Sequence, residues 1–257
     1  MGVGTCYPED ERRTVFLGAF AKPLNCLYHR PKELISKLPS HMSPKPTHPK
    51  HSLEARTLIL GSSSKYRHEL LSRLQWPFET VSPDIDETPL QSEQPIELSQ
   101  RLALQKAHAV AVLHPKAIVI GSDQVADLHG QSLGKPLTHD KAVSQLEMMS
   151  GQTVLFHTSV CVCCKETEFS NVFVSTVKVV FKTLSRQTIE SYLLKDKPYD
   201  CAGSAKSESL GVALLERIES DDPTSLIGLP LIKTTALLAL AGLDVLSSNP
   251  AKHHHPL

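Results

Sequence analysis

Residues 57–75 read TLILGSSSKYRHELLSRLQ, and this stretch decides the fold. TLILG at 57–61 is a short apolar run closed by glycine, the pattern of a buried strand. Three serines follow, and then Leu70, Leu71 and Leu74 recur at the spacing of an amphipathic helix. A strand that feeds a helix through a serine-rich turn is the start of a layered α/β unit. The same turn carries the first candidate site. At a helix start the backbone N–H groups are unpaired and the helix dipole is positive, so Ser62 and Ser63 are candidate phosphate binders. Arg67, one turn in, adds a possible bidentate contact. The alternative is that Ser64 caps the helix and Arg67 lies in solvent.

Working outward, Pro95 and Glu97 open a second helix that runs through Leu113 and stops at Pro115. AIVIGSD at 117–123 reads as a buried strand ending in an acid, which places Asp123 at a strand's carboxyl end. Thr138 is positioned to cap a third helix that Gly151 closes. The β-branched runs 152–164 and 171–183, separated by KETEFSN, predict an antiparallel hairpin turning near Asn171. Ser185 caps a helix to Lys195; CAGSAKSES is then a loop, GVALLERI a strand, and Thr224 leads toward a last helix. The fold class is therefore α/β: a mixed β-sheet flanked by helices in three layers, with two lobes around a cleft.

The flanks differ in composition. Residues 1–56 include YHRPKELISKLPSHMSPKPTHPKHS, rich in Pro, His, Lys and Ser, and read as a flexible leader; residues 247–257 read as a polar tail. The globular domain is assigned to 57–246. With Lys+Arg 27 and Asp+Glu 27 there is no net charge to favour nucleic acid or a membrane surface, so phosphate recognition must come from a local arrangement. Leu226–Leu246 is apolar but interrupted by Pro230, Lys233 and Asp244, which predicts a core helix and not a membrane span. Six cysteines with no secretory signal before them point to a reducing, cytoplasmic setting. CVCC at 161–164 continues a strand-like run, where cysteine packs as a small hydrophobe, and no second Cys/His pair stands at zinc spacing.

The remaining chemistry lies in acids and lysines. Asp123 is a candidate general base on water or a metal ligand. Asp84, Asp86 and Glu87 in SPDIDETP form a second acidic group capable of oxygen ligation to Mg²⁺, or a plain exposed loop. Lys106 and Lys135 are candidate phosphate binders. GQSLGKP is not a P-loop: its first glycine stands one residue too close to Gly-Lys, and proline replaces the hydroxyl residue that meets Mg²⁺.

Taken in order, TLILGSSSKYR, DETP, LALQKA, IGSDQV, GKPL, CAGSAKSE and IGLPL resemble the Maf family of nucleotide pyrophosphatases over roughly Thr57 to Leu246. The resemblance implies a mixed α/β fold related to the inosine-triphosphate pyrophosphatases, a homodimer, an interlobe active site and a divalent cation, Mg²⁺ or Mn²⁺. It implies Asp123 as catalytic base, Arg67, Lys106 and Lys135 on the phosphates, and Glu87 assisting the metal or water. GSDQV and CAGSAKSE are similar to the branch acting on 7-methyl-GTP, with Tyr66, Gln124 and Glu208 selecting the base. Methylation at N7 makes the purine cationic, so the Tyr66 ring offers it a cation–π face and Glu208 an acceptor for guanine N–H groups. The chain departs from that branch where Tyr66 replaces tryptophan, His68 a second arginine and Ser209 a glycine. A dTTP/UTP-type pyrophosphatase and a non-enzymatic nucleotide sensor in division control are the alternatives.

Overall fold

A computed structural model describes residues 56–247. The leader and tail expected from composition lie outside the described residues, save for their boundary positions Arg56 and Ser247. The elements in chain order are β1 (Leu58–Gly61), α1 (Lys65–Ser72), β2 (Glu79–Val81), α2 (Pro95–Leu113), β3 (Ile118–Leu128), β4 (Gln131–Leu133), α3 (His139–Met149), β5 (Thr153–Cys164), β6 (Phe169–Phe181), α4 (Arg186–Asp196), β7 (Leu215–Glu219) and α5 (Leu231–Leu240). Short 3-10 turns lie at Ala202–Ser204, Leu210–Leu214 and Ser225–Ile227.

One sheet in the order β2-β1-β3-β5-β6-β7 holds these together, with β4 also paired to β3. The β1 pairs with β2 and β3 are parallel and the remaining pairs antiparallel, so the sheet is mixed, as expected. Period-two alternation sorts the side chains of the long strands. Leu58, Leu60, Ile118, Ile120, Val160 and Val162 pack with Leu70 and Leu71 of α1 and Leu237 and Leu238 of α5. Ile59, Val119, Cys161 and Cys163 point the other way, onto Ala103, Ala107 and Val110 of α2. Further along the same strands, Ala126, Leu128, Phe156, Val177 and Val179 build a separate core with α3 and α4. The first two clusters, on opposite faces of the same half of the sheet, make one lobe, and the α3/α4 core makes the other.

Local chemistry explains the helix starts. Ser64, Thr138 and Ser185 each accept a hydrogen bond from the third residue of the helix they precede. Gln94 and Glu97 form a capping box at α2, with Pro95 at its first position. α5 is ten residues long, and no helix among the described residues is long and apolar enough to cross a membrane. The cysteines at 161–164 are buried and free, packed as hydrophobes.

Three expectations are corrected and one element is added. The strand read at 117–123 continues to Leu128, so Asp123 lies in the middle of β3, opposite Ser159 of β5. GVALLERI is not one strand: Leu210–Leu214 is a 3-10 turn and β7 begins at Leu215. There Gly211 packs directly on the Lys206 backbone, where an added Cβ would lie 2.3 Å from a carbonyl oxygen, and the chain bends before it reaches the edge of β6. The hairpin turn falls at Lys165–Glu168, with Glu168 at φ +55°, while Asn171 is already in β6 opposite Val162. Finally, GQSLGKP contains a strand, β4, returned against β3 through His129 and Gly130 at φ 54° and 85°, a tight turn with both central residues left-handed.

Candidate functional site

The mid-strand position of Asp123 is still a strand end, but of the neighbour. β1 stops at Gly61, opposite Gly121, and β4 pairs with β3 only from Ala126 onward, opposite Leu133 at the end of β4. Ser122 to Val125 therefore have no partner strand on that edge. A cleft of about 620 Å³ opens there, a size suited to a nucleotide. It is lined from one lobe by Ser62–Arg67 and Gly228, and from the other by Lys135, Asp200–Ala202 and Glu208.

Alternation along β3 splits the roles of its residues. Gly121 and Asp123 face α2, and Gly121 is there because no side chain fits: an added Cβ would lie 2.3 Å from the Ala103 oxygen and 2.4 Å from the Ala107 nitrogen. This close approach brings Lys106 of α2 to Asp123, with Nζ 2.7 Å from Oδ1. The same ammonium is 2.7 Å from Oε1 of Glu87. Lys106 and Asp123 are buried, whereas Glu87 is half exposed. Burial works against the Glu87 charge, but Lys106, and at longer range Lys135 and Arg67, hold its carboxyl below the usual range. Of the other acids in that loop, Asp86 accepts a 2.9 Å bond from the Thr88 amide, and neither it nor Asp84 lines the cleft.

Of the alternative reading of the serine turn, the cap holds and the solvated arginine does not. Ser64 caps α1, and Arg67 is nevertheless anchored: its Nε donates to the Gly228 carbonyl at 2.9 Å and its Nη1 to Ser62 Oγ at 3.4 Å. Desolvation lowers the Arg67 pKa from its usual value, opposed by the nearby Asp123 and Glu87. The turn consumes some of its own amides, since Ser62 N–H donates to the Leu60 carbonyl and Ser64 N–H to Ser62 Oγ. Gly228, at φ +128°, presents the carbonyl that receives both Arg67 and the Ser122 hydroxyl. This 225–228 segment was not singled out from the sequence for the site, although IGLPL names it.

The three base-selecting candidates line the cleft. The Gln124 amide nitrogen already donates to Thr158 Oγ1 and to the carbonyls of Ser225 and Leu226 at 2.9–3.0 Å, so its carbonyl oxygen is the end left for a ligand. Burial raises the Glu208 pKa, and neighbouring Asp196 and Glu69 add to the effect. Tyr66 donates to both oxygens of Asp200 at 3.2 Å. Two departures resolve in space. His68 packs against Phe78, the rings tilted with centroids 5.0 Å apart, and is not part of the cleft lining. Ser209 donates to Asp196 Oδ1 at 2.7 Å, outside the lining. Lys65, Asp200 and Cys201 belong to the lining and were missed; no residue-type pattern marks them, because α1 and the 198–202 loop meet only in three dimensions.

For a metal, no group of three or more His, Cys, Asp or Glu side chains is arranged among the described residues. Asp123 and Glu87 converge on one ammonium, however, and two carboxylates fit a hard divalent ion that keeps phosphate and water oxygens as its other ligands.

The chain is similar to proteins named 7-methyl-GTP pyrophosphatase from Polaromonas sp. (strain JS666), at 54% identity over 79% of this chain and 91% of that one, and from Albidiferax ferrireducens, at 54% over 75% and 97%. A third, from Cupriavidus metallidurans, is 55% identical over 72% of this chain and 93% of its own. The Ham1 protein of Staphylococcus aureus superposes at a TM-score of 0.38 with 15% identity, over 50% of this chain and 73% of that one, too loosely to add to the assignment. The model for Maf-like proteins matches residues 57–241, the segment that carries β1 through α5 and every cleft residue described above, and the chain belongs to that family.

Proposed function

We propose that this protein hydrolyses 7-methyl-GTP to 7-methyl-GMP and pyrophosphate, clearing a modified nucleotide. The observation that carries the reading is the convergence of Asp123 with Lys106, Glu87, Arg67 and Lys135 in one interlobe cleft. Its relatives of more than 50% identity bear the name 7-methyl-GTP pyrophosphatase.

In this reading the triphosphate lies along the Ser62–Arg67 turn, with Ser62 and Ser63 at its oxygens and the positive end of α1 behind them. One Asp123 oxygen is held by Lys106 and the other takes a proton from water. The water oxygen bonds to the α-phosphorus as the bond to the bridging oxygen of the β-phosphate breaks. Arg67, Lys106 and Lys135 compensate the charge on the departing pyrophosphate, and such preorganised charge is the largest contribution expected in phosphoryl chemistry. A Mg²⁺ or Mn²⁺ ion would be held by Glu87 together with phosphate oxygens, and would supply further neutralisation there. Tyr66, Glu208 and the carbonyl of Gln124 face the base. A cytoplasmic homodimer completes the reading; light scattering at twice the chain mass checks the dimer.

The test is product analysis of the full chain with Mg²⁺ or Mn²⁺ and a panel of 7-methyl-GTP, GTP, dTTP, UTP and CTP. Selective release of 7-methyl-GMP and pyrophosphate is expected. Turnover of a pyrimidine nucleotide in its place keeps Asp123 but removes the base assignment, and binding without turnover returns the protein to a sensing role.

A further inference from the structure

Two charged side chains at the cleft have no part in the phosphate chemistry. Lys65 comes from α1 in one lobe, Asp200 from the loop after α4 in the other, and Tyr66 lies between them. Lys65 Nζ is 3.1 Å from Asp200 Oδ2 and 4.9 Å from the centroid of the Tyr66 ring. The Tyr66 hydroxyl donates to the same carboxylate. All three residues line the cleft with Glu208.

An aromatic face and a carboxylate around one ammonium form a receptor for a cation, filled here by the chain's own lysine. The parts suit that purpose. Burial opposes the Asp200 charge, but Lys65 and the Tyr66 hydroxyl outweigh it, and the carboxyl stays below its usual range. Burial raises the Tyr66 phenol far above its ordinary value, with Cys201 and Asp200 adding to this, so it remains a neutral donor with an intact ring. The Lys65 side chain is 71% exposed and held only by surface contacts, so its displacement costs little. A purine methylated at N7 carries a positive charge, and an unmethylated one does not.

We propose that Asp200 is a specificity-determining residue that, with the Tyr66 ring, recognises the positive charge of an N7-methylated base, and that Lys65 fills this position until the base displaces it. The inference rests on the reading of the protein as a 7-methyl-GTP pyrophosphatase. It adds the carboxylate and the stand-in cation to the ring face already assigned. A simple clasp between the lobes is the competing role for Asp200, and it predicts equal effects on every nucleotide.

The experiment compares kcat/KM for 7-methyl-GTP and GTP in the unsubstituted full chain, Asp200→Asn and Lys65→Gln, with the same metal ion. Asn keeps an acceptor for Tyr66 but removes the charge. Asp200→Asn should lower the preference for 7-methyl-GTP over GTP by roughly tenfold, the order of a partly desolvated cation contact, with the larger loss on 7-methyl-GTP. Equal loss on both nucleotides overturns the specificity role and leaves a clasp. The exposed Lys65→Gln variant tests the second half without threatening the fold: KM for 7-methyl-GTP should fall while that for GTP stays, and a rise for 7-methyl-GTP overturns the displaced-cation role. Failure of the underlying functional reading is separately visible, because the unsubstituted protein would then not prefer 7-methyl-GTP at all.

Discussion

At the scale of single residues, the centre of the site is one lysine shared by two carboxylates. Replacing Asp123 by Asn should abolish pyrophosphate release while nucleotide binding, followed by calorimetry, persists; retained release removes Asp123 as the base. Lys106→Met leaves Glu87 and Asp123 facing each other without their shared cation, and should cost about 100-fold or more in kcat. It also has a signature in stability. Glu87 has a native pKa held below its unfolded value, largely by Lys106 once burial has been offset. Its contribution is therefore fully present above the unfolded value and is lost as pH falls through the lowered native one. Thermal melts between pH 6 and pH 3 should show the parent losing this contribution, below about 1 kcal/mol because Glu87 is half exposed. Lys106→Met should lack that part of the slope; an unchanged slope would mean the ion pair does not hold Glu87. Residue type, order and the family resemblance offered Asp123, Lys106, Lys135, Arg67 and Glu87 as candidates one by one. The shared ammonium, and the engaged nitrogen of Gln124, needed the helix and the sheet to be placed against each other.

At the scale of elements, two contacts position the site. α2 lies so close to β3 that Gly121 admits no side chain, and this approach carries Lys106 to Asp123. Gly121→Ala must push the helix off the sheet. A loss of about 3 kcal/mol in urea unfolding, the upper end for overpacking, is expected, together with weakened turnover. α5 starts at Leu231 after Pro230, which offers no side-chain cap, and buried Asp222 supplies one from a distance. Its Oδ2 accepts the Ile232 amide at 2.8 Å, and its Oδ1 accepts the amide and hydroxyl of Thr224. The same knot holds the 225–228 segment whose Gly228 carbonyl anchors Arg67. Asp222→Ala should lower stability by about 2–3 kcal/mol and raise KM through a misplaced Arg67; a stability change below 0.5 kcal/mol would remove the capping role. Helix starts were legible because Ser64, Thr138 and Ser185 cap by local chemistry. β2 and β4 were not, being three residues each and defined only by their partners.

At the scale of the whole molecule, the lobes have separate cores but share β3, β5 and β6, which run unbroken from one to the other. Neither core can lose its sheet without exposing part of the other's, so the described body should unfold as one unit. The chain's one tryptophan, Trp76, packs against the α1/α5 core and reports on that lobe. Its fluorescence transition in urea should coincide with that of the far-ultraviolet circular dichroism, which reports both lobes; an earlier tryptophan transition would show independent lobes.

By itself the sequence determined the α/β class and the helix caps, and it offered the acid and the cations as candidates in order along the chain, because these depend on local periodicity and residue chemistry. Only the tertiary structure decided where the cleft opens. Asp123 was expected at the end of its own strand and stands in the middle of β3; the edge beside it is exposed because β1 ends at Gly61 and β4 pairs only from Ala126 onward. The pairing of Lys65 and Tyr66 with Asp200 was likewise beyond the sequence, since residues 134 positions apart meet only when two lobes built on shared strands face each other across that gap.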